Sequence, residues 1–229
     1  MFALWPGDQL NFSIFIKPTF GFAGQHAASE AGHIANTNVG SNRAIKNEND
    51  LMTKDYKEIW IKTGYDFFAV NGKDGLKVER LAKTVGKSKS SFYHHFADIE
   101  LFTGYLLEYH IKQSHIIAES ERKADCIDPD LINIFIKHKA DLFFNRQLRI
   151  NRNIKGFSET LQESNKIVGS AFINVWVKDL SLNLTQKQIE GIFTLALENF
   201  FLQINSENFT VKWLSGYFKN LKEITKNFN

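Results

Sequence analysis

Histidines are the first residues in this chain that could do chemistry. His94 and His95 are adjacent in "GKSKSSFYHHF", residues 86–96, and His110 and His115 lie five apart. Adjacent side chains on a helix diverge by about 100°, so His94 and His95 cannot easily hold one metal ion together. A spacing of five also misses the i, i+4 register that sets two imidazoles on one helix face. Cys126 is the only cysteine, which excludes an intramolecular disulfide and a cysteine zinc cluster and favours a reducing, intracellular setting. No nucleophile elbow, metalloprotease motif or Walker sequence is present, and "GFAGQHAASEAGH" lacks the flanking strand and Lys-Ser/Thr of a phosphate loop. These residues point away from an enzyme, a metal site and any cofactor.

The same region suits a different chemistry. From Lys77 to Phe96, five basic residues (Lys77, Arg80, Lys83, Lys87, Lys89) face the single acid Glu79, a local +4 in a chain whose formal total is +3. Concentrated positive charge attracts the phosphates of a duplex. Ser88, Ser90 and Ser91 are small enough to let a helix approach base edges, and its N-terminal amides favour phosphate. Tyr93 and His94, on the exposed side, can donate to phosphate oxygens, while His95 packs inward beside Phe92.

Presenting those residues requires two short helices and a tight turn. In "LKVERLAKTVG", Val78, Leu81, Ala82 and Val85 fall at i, i+3, i+4 and i+7, one apolar stripe, and Gly86 ends the helix. Ser88 caps the next helix by accepting from the amide of Ser90 or Ser91, and Phe92 and Phe96 anchor it. Upstream, Tyr56, Ile59, Trp60, Phe67 and Phe68 lie at roughly helical spacing, with Thr53 as N-cap and "NGKDG" as terminator. Downstream, Asp98 caps a longer helix running to about Ile117, and four more helices are expected at about 130–146, 156–178, 185–204 and 208–227. With no strand pairing or internal repeat in view, the expected fold class is all-α.

At 43% hydrophobic and 23% charged residues the composition is that of a soluble globular protein, and the longest apolar runs fall short of a membrane span. Residues 1–51 carry few charges and no sustained periodicity. They are expected to form a poorly ordered extension, or to precede a natural start at Met52.

The stretch "LKVERLAKTVGKSKSSFYHHFADIELF" resembles the DNA-binding domain of the TetR family of bacterial transcriptional regulators, the TetR/AcrR-like helix-turn-helix proteins. The resemblance rests on Leu81-Ala82 in the second helix, Gly86 at the turn, and the ending Phe92-Tyr93-His94-His95-Phe96. It implies a three-helix helix-turn-helix domain at 52–98 and a helical regulatory and dimerisation domain at 99–229. DNA contacts would come from Lys77, Lys87, Ser88, Lys89, Ser90, Ser91, Tyr93 and His94. Three positions depart from the family pattern: Lys77 replaces a hydroxyl residue, Lys87 a small apolar one, and Ile99 a phosphate-binding lysine.

The resemblance further implies a cytoplasmic homodimer on a palindromic operator, with the last two helices of each protomer pairing across a two-fold axis. Ile192, Phe193, Leu197, Phe200, Trp213, Tyr217 and Leu221 are the dimerisation candidates, though the same apolar faces suit internal core. A small hydrophobic or aromatic ligand would lie among Phe135, Phe143, Phe144, Phe157, Phe172 and Trp176, which equally suit core packing. The expected function is that of a ligand-responsive repressor binding double-stranded DNA. The alternative is a helical dimer of this fold that lacks specific DNA binding and acts through ligand or protein contacts.

Overall fold

The computed structural model describes residues 56–180 and 184–225. The extension at 1–51, the start at Met52 and the Thr53 cap lie outside those residues. Every regular element described is helical, so the protein is all-α. The order is α1 (56–71), α2 (Val78–Val85), α3 (Lys89–His95), α4 (Ile99–Glu121), α5 (Ile132–Lys137), α6 (Lys139–Ile150), α7 (Lys155–Leu180), α8 (Gln186–Gln203) and α9 (Val211–Thr225). Among the described residues, no helix is long and apolar enough to cross a membrane.

Side-chain caps start α3, α4, α8 and α9. Asp98 Oδ1 accepts from the Leu101 amide at 2.7 Å to start α4, and Thr185 with Gln188 forms a reciprocal capping box at α8. The last helix begins at Val211, later than the expected 208. Thr210 Oγ1 accepts from the Trp213 amide, while Asn205 and Asn208 close a side-chain turn just before it. The expected helix at 130–146 is two helices. A π-helical turn, Ile127–Leu131, leads into α5, and His138 (φ −102°, ψ 30°) interrupts the run before α6 continues to Ile150. No glycine or proline announces that break. The buried His138 holds it instead, its Nδ1 lying 3.0 Å from Asp141 Oδ2 on the next turn.

Helix α4 is the spine of the molecule. It continues past the expected end at Ile117 because its buried stripe continues: Phe102, Leu106, His110, Ser114, Ile117 and Glu121 follow one another at helical spacing. At its N-terminal end, Phe102 joins fully buried Trp60, Phe92 and Phe96 in one aromatic cluster with ring centroids 4.8–5.4 Å apart. Helix α1 meets α4 through Gly64, where an added Cβ would lie 2.3 Å from Phe102 Cζ, so only glycine permits this approach. The buried face of α1 therefore runs Trp60, Gly64, Tyr65, Phe68 and Ala69, whereas Ile59, expected inside, is 44% exposed.

Candidate nucleic-acid interface

Helices α2 and α3 meet at Gly86, which adopts φ 70°, ψ 31° while the Lys87 amide donates back to the Ala82 carbonyl at 3.0 Å. A Cβ at Gly86 would meet nothing within 4 Å, so the left-handed backbone alone selects glycine there. Ser88 Oγ accepts from the Ser91 amide at 3.3 Å and caps α3. Phe92 then seats α3 edge-on against Trp60 of α1 at 5.4 Å and against Phe102 of α4 at 5.1 Å. With its apolar side fixed on two helices, α3 turns its opposite side to solvent.

That solvent side carries the residues expected to touch DNA. Lys77, Lys87, Ser88, Lys89, Ser90, Tyr93 and His94 are exposed, and Ser91 is half-buried under its cap bond. Arg80 and Lys83 of α2 are exposed as well. Two of the lysines have intramolecular partners. Lys89 Nζ lies 3.1 Å from Glu79 Oε1, and Lys87 Nζ sits 4.1 Å over the Tyr56 ring. An exposed ion pair of this kind is worth about 0–1 kcal/mol, so a phosphate competes for Lys89 at little cost. His95 is half-buried, and burial, then His94 and Lys57, holds its imidazole below the ordinary value, which favours the neutral ring. Ile99, at the start of α4, is packed against the core.

A second site lies farther along α4. Helices α4 to α9 line a cavity of about 80 Å³ that opens to solvent at one side. Of the residues expected to hold a ligand, Phe135, Phe172 and Trp176 line it. The other three pack elsewhere: Phe143 against Phe209, Phe144 stacked 4.3 Å from Tyr65, and Phe157 edge-on to Phe68. Of the residues expected at a dimer interface, Phe193, Leu197, Phe200, Tyr217 and Leu221 line the same cavity, while Ile192 and Trp213 are half-buried against the core. The apolar side chains of α8 and α9 that do face solvent are different ones. Leu195 is 73% exposed and Leu202 is 79% exposed on α8, with Val211 and Ile224 on α9.

Polar chemistry in and beside the cavity comes from His110, set aside above as a metal ligand, and from Tyr65, Asp141 and Glu121, which the sequence did not single out. Tyr65 of α1 donates its hydroxyl to Asp141 Oδ1 of α6 at 2.8 Å and also lies 2.7 Å from His110 Nδ1 of α4. Because the single hydroxyl proton goes to Asp141, His110 donates from Nδ1, leaving Nε2 as a bare lone pair. That Nε2 is buried without a hydrogen-bond partner, and burial lowers His110 to about 4, so the ring is neutral. Glu121, 0% exposed, has neither carboxyl oxygen hydrogen-bonded, and burial raises it to about 8. One signal was available in the sequence: His110, Ser114 and Glu121 recur on the apolar stripe of α4 (i, i+4, i+11), polar groups placed where packing alone would choose Leu or Ile. Among the described residues, no group of three His, Cys, Asp or Glu side chains is placed to hold a metal ion.

No family model matches the chain. Over 54 residues it is 41% identical to the HTH-type transcriptional repressor AcnR of Corynebacterium diphtheriae. The matched stretch covers 23% of this chain and 28% of that protein, so the chain is similar to little more than a quarter of the relative's length.

Proposed function

We propose that this protein is a DNA-binding transcriptional repressor that acts as a homodimer on a palindromic operator and is released by a small molecule entering the cavity. The observation that carries this reading is the α2–Gly86–α3 unit, whose basic and hydroxyl residues face solvent while Phe92 locks its other side to the core. The 41% identity to a protein named as a helix-turn-helix repressor supports it. In this reading 56–98 form the DNA-binding head and the helices from α4 onward the regulatory part. Lys89, Ser90 and Ser91 approach bases in the major groove, and Lys77, Lys87, Tyr93 and His94 contact the backbone. The solvent-facing leucines Leu195 and Leu202, seven apart on α8, supply one face for a second copy, and dimerisation matches the protein's symmetry to that of the operator.

Release follows from how α4 is placed. The helix touches the head through Phe102 and the cavity through His110, Ser114, Ile117 and Glu121. Tyr65 ties α1 of the head to His110 and Asp141, both in the cavity wall. A molecule that binds more tightly to a shifted α4 draws the head away from the spacing that two successive major grooves require.

Fluorescence anisotropy with duplex from the DNA around the protein's own gene tests the reading. Tight, salt-dependent binding that is abolished by Lys89→Ala with Tyr93→Ala is expected. Equal affinity for unrelated duplex, unaffected by those substitutions, refutes it.

A further inference from the structure

The cavity wall is mostly apolar, its few polar groups include the carboxyls of Glu121 and Asp141, and among the described residues none carries fixed positive charge. Its wall contains no lysine or arginine. Aromatic rings dominate it, including Phe135, Phe172, Trp176, Phe193, Phe200 and Phe218, and their faces carry the negative part of the ring quadrupole. Among these rings lies Glu121, fully buried with both carboxyl oxygens unpartnered. The two basic residues that follow it in sequence are turned elsewhere. Arg122 Nη1 lies 2.9 Å from Glu119 Oε2, and Lys123 Nζ lies 3.4 Å from Glu119 Oε1. Arg122 still acts on Glu121 through space, but neither carboxyl oxygen has a hydrogen-bonded or ion-paired partner, and a buried carboxyl left so costs stability that a pairing group would offset.

We propose that the cavity binds a lipophilic organic cation, an arylalkylamine whose ammonium is held by Glu121 while its apolar body lies among the rings. This deepens the ligand response proposed above and rests on the cavity being its site. Anionic ligands would meet no counter-charge in the wall, and neutral apolar ones would leave the Glu121 oxygens as they are. His110, eleven residues earlier on the same stripe and about 16 Å away along the axis, adds a lone-pair acceptor at the far end. Titratable groups in the wall are Glu121 and His110 of α4, Asp141 of α6 and Tyr217 of α9, with Arg122 next to Glu121 at the C-terminal cap of α4. With the cavity empty, burial keeps the Glu121 proton on at neutral pH. As the ammonium binds, its N–H groups donate to the carboxylate and that proton passes to solvent.

Three naphthalenes of one size separate the alternatives by isothermal titration at neutral pH: 2-naphthylmethylammonium, 2-naphthylmethanol and 2-naphthoate. The ammonium should bind at least about tenfold more tightly than the alcohol, and the carboxylate least. Its heat should vary with the ionisation enthalpy of the buffer, reporting the released proton. Glu121→Gln, which keeps the side-chain volume, should erase both the preference and the proton release while still binding the alcohol. If the alcohol or the carboxylate binds wild type as tightly as the ammonium, or the preference survives Glu121→Gln, the cation assignment falls and the ligand site stands. Failure of all three probes to bind either protein overturns the ligand site as well.

Discussion

Replacing Glu121 by glutamine should change how the stability of this protein depends on pH. The folded carboxyl titrates near 8 against an ordinary value of 4.5. Between those values the unfolded chain has released a proton that the folded chain keeps, so stability falls as pH rises. The accumulated loss approaches about 5 kcal/mol above pH 8, at about 1.4 kcal/mol per pH unit. His110 works in the opposite sense. Held near 4 against an ordinary 6.5, it costs stability as pH falls from 6.5, up to about 3 kcal/mol. The two slopes offset each other between about pH 4.5 and 6.5, and Glu121 alone acts from 6.5 to 8. Wild type should therefore lose about 2 kcal/mol across that upper window, and Glu121→Gln should lose none of it. Near pH 4.5, where both side chains are neutral, the two proteins should be about equally stable. At pH 8, where about 4 kcal/mol has accumulated, the variant should melt higher by roughly 9–17 °C, taking 2–4 °C per kcal/mol for a chain of this size. Thermal denaturation by circular dichroism at a series of pH values reads both slopes. Parallel curves for the two proteins would show that Glu121 is not held protonated by its surroundings.

Other substitutions test the frame that carries the head. Gly86→Ala should cost about 1 kcal/mol through its left-handed backbone alone, and Gly86→Asn less, as measured by urea denaturation. Gly64→Ala should cost about 1–3 kcal/mol by forcing a methyl group into Phe102, and Phe102→Leu should recover part of that loss in the double mutant. Tyr65→Phe keeps the stack on Phe144 but strips Asp141 and His110 of their shared hydroxyl, so a loss of about 1–3 kcal/mol is expected in the same assay. If Lys77 contacts a phosphate as proposed, Lys77→Ala should lower the slope of log affinity against log salt by about 0.9, without changing preference among sequences.

Features that depend on a few consecutive residues were legible from the chain alone. The α2–Gly86–α3 turn, the Ser88 and Asp98 caps, the inward Phe92 and Phe96 and the all-helical class each follow from periodicity and capping chemistry within about ten positions. The exposure of Lys77, Lys89, Ser90, Tyr93 and His94 follows too, because an anchored short helix has one face left for solvent. What lay beyond reach was any choice made between helices. An apolar stripe says that a face will be covered but not by what. Thus Phe193, Phe200 and Tyr217, as suited to a partner protomer as to an interior, line a cavity, and the solvent-facing leucines are Leu195 and Leu202. The break at His138 depends on a buried contact with Asp141, and the links from Tyr65 join residues 45 and 76 positions apart. Glu121 illustrates the difference best: in sequence its register marks a polar group on an apolar stripe, but with Arg122 and Lys123 beside it as ready partners. Only the packing of α4 against its neighbours turns it into a buried carboxyl without a partner, because burial is a property of the assembled helices and not of any one of them.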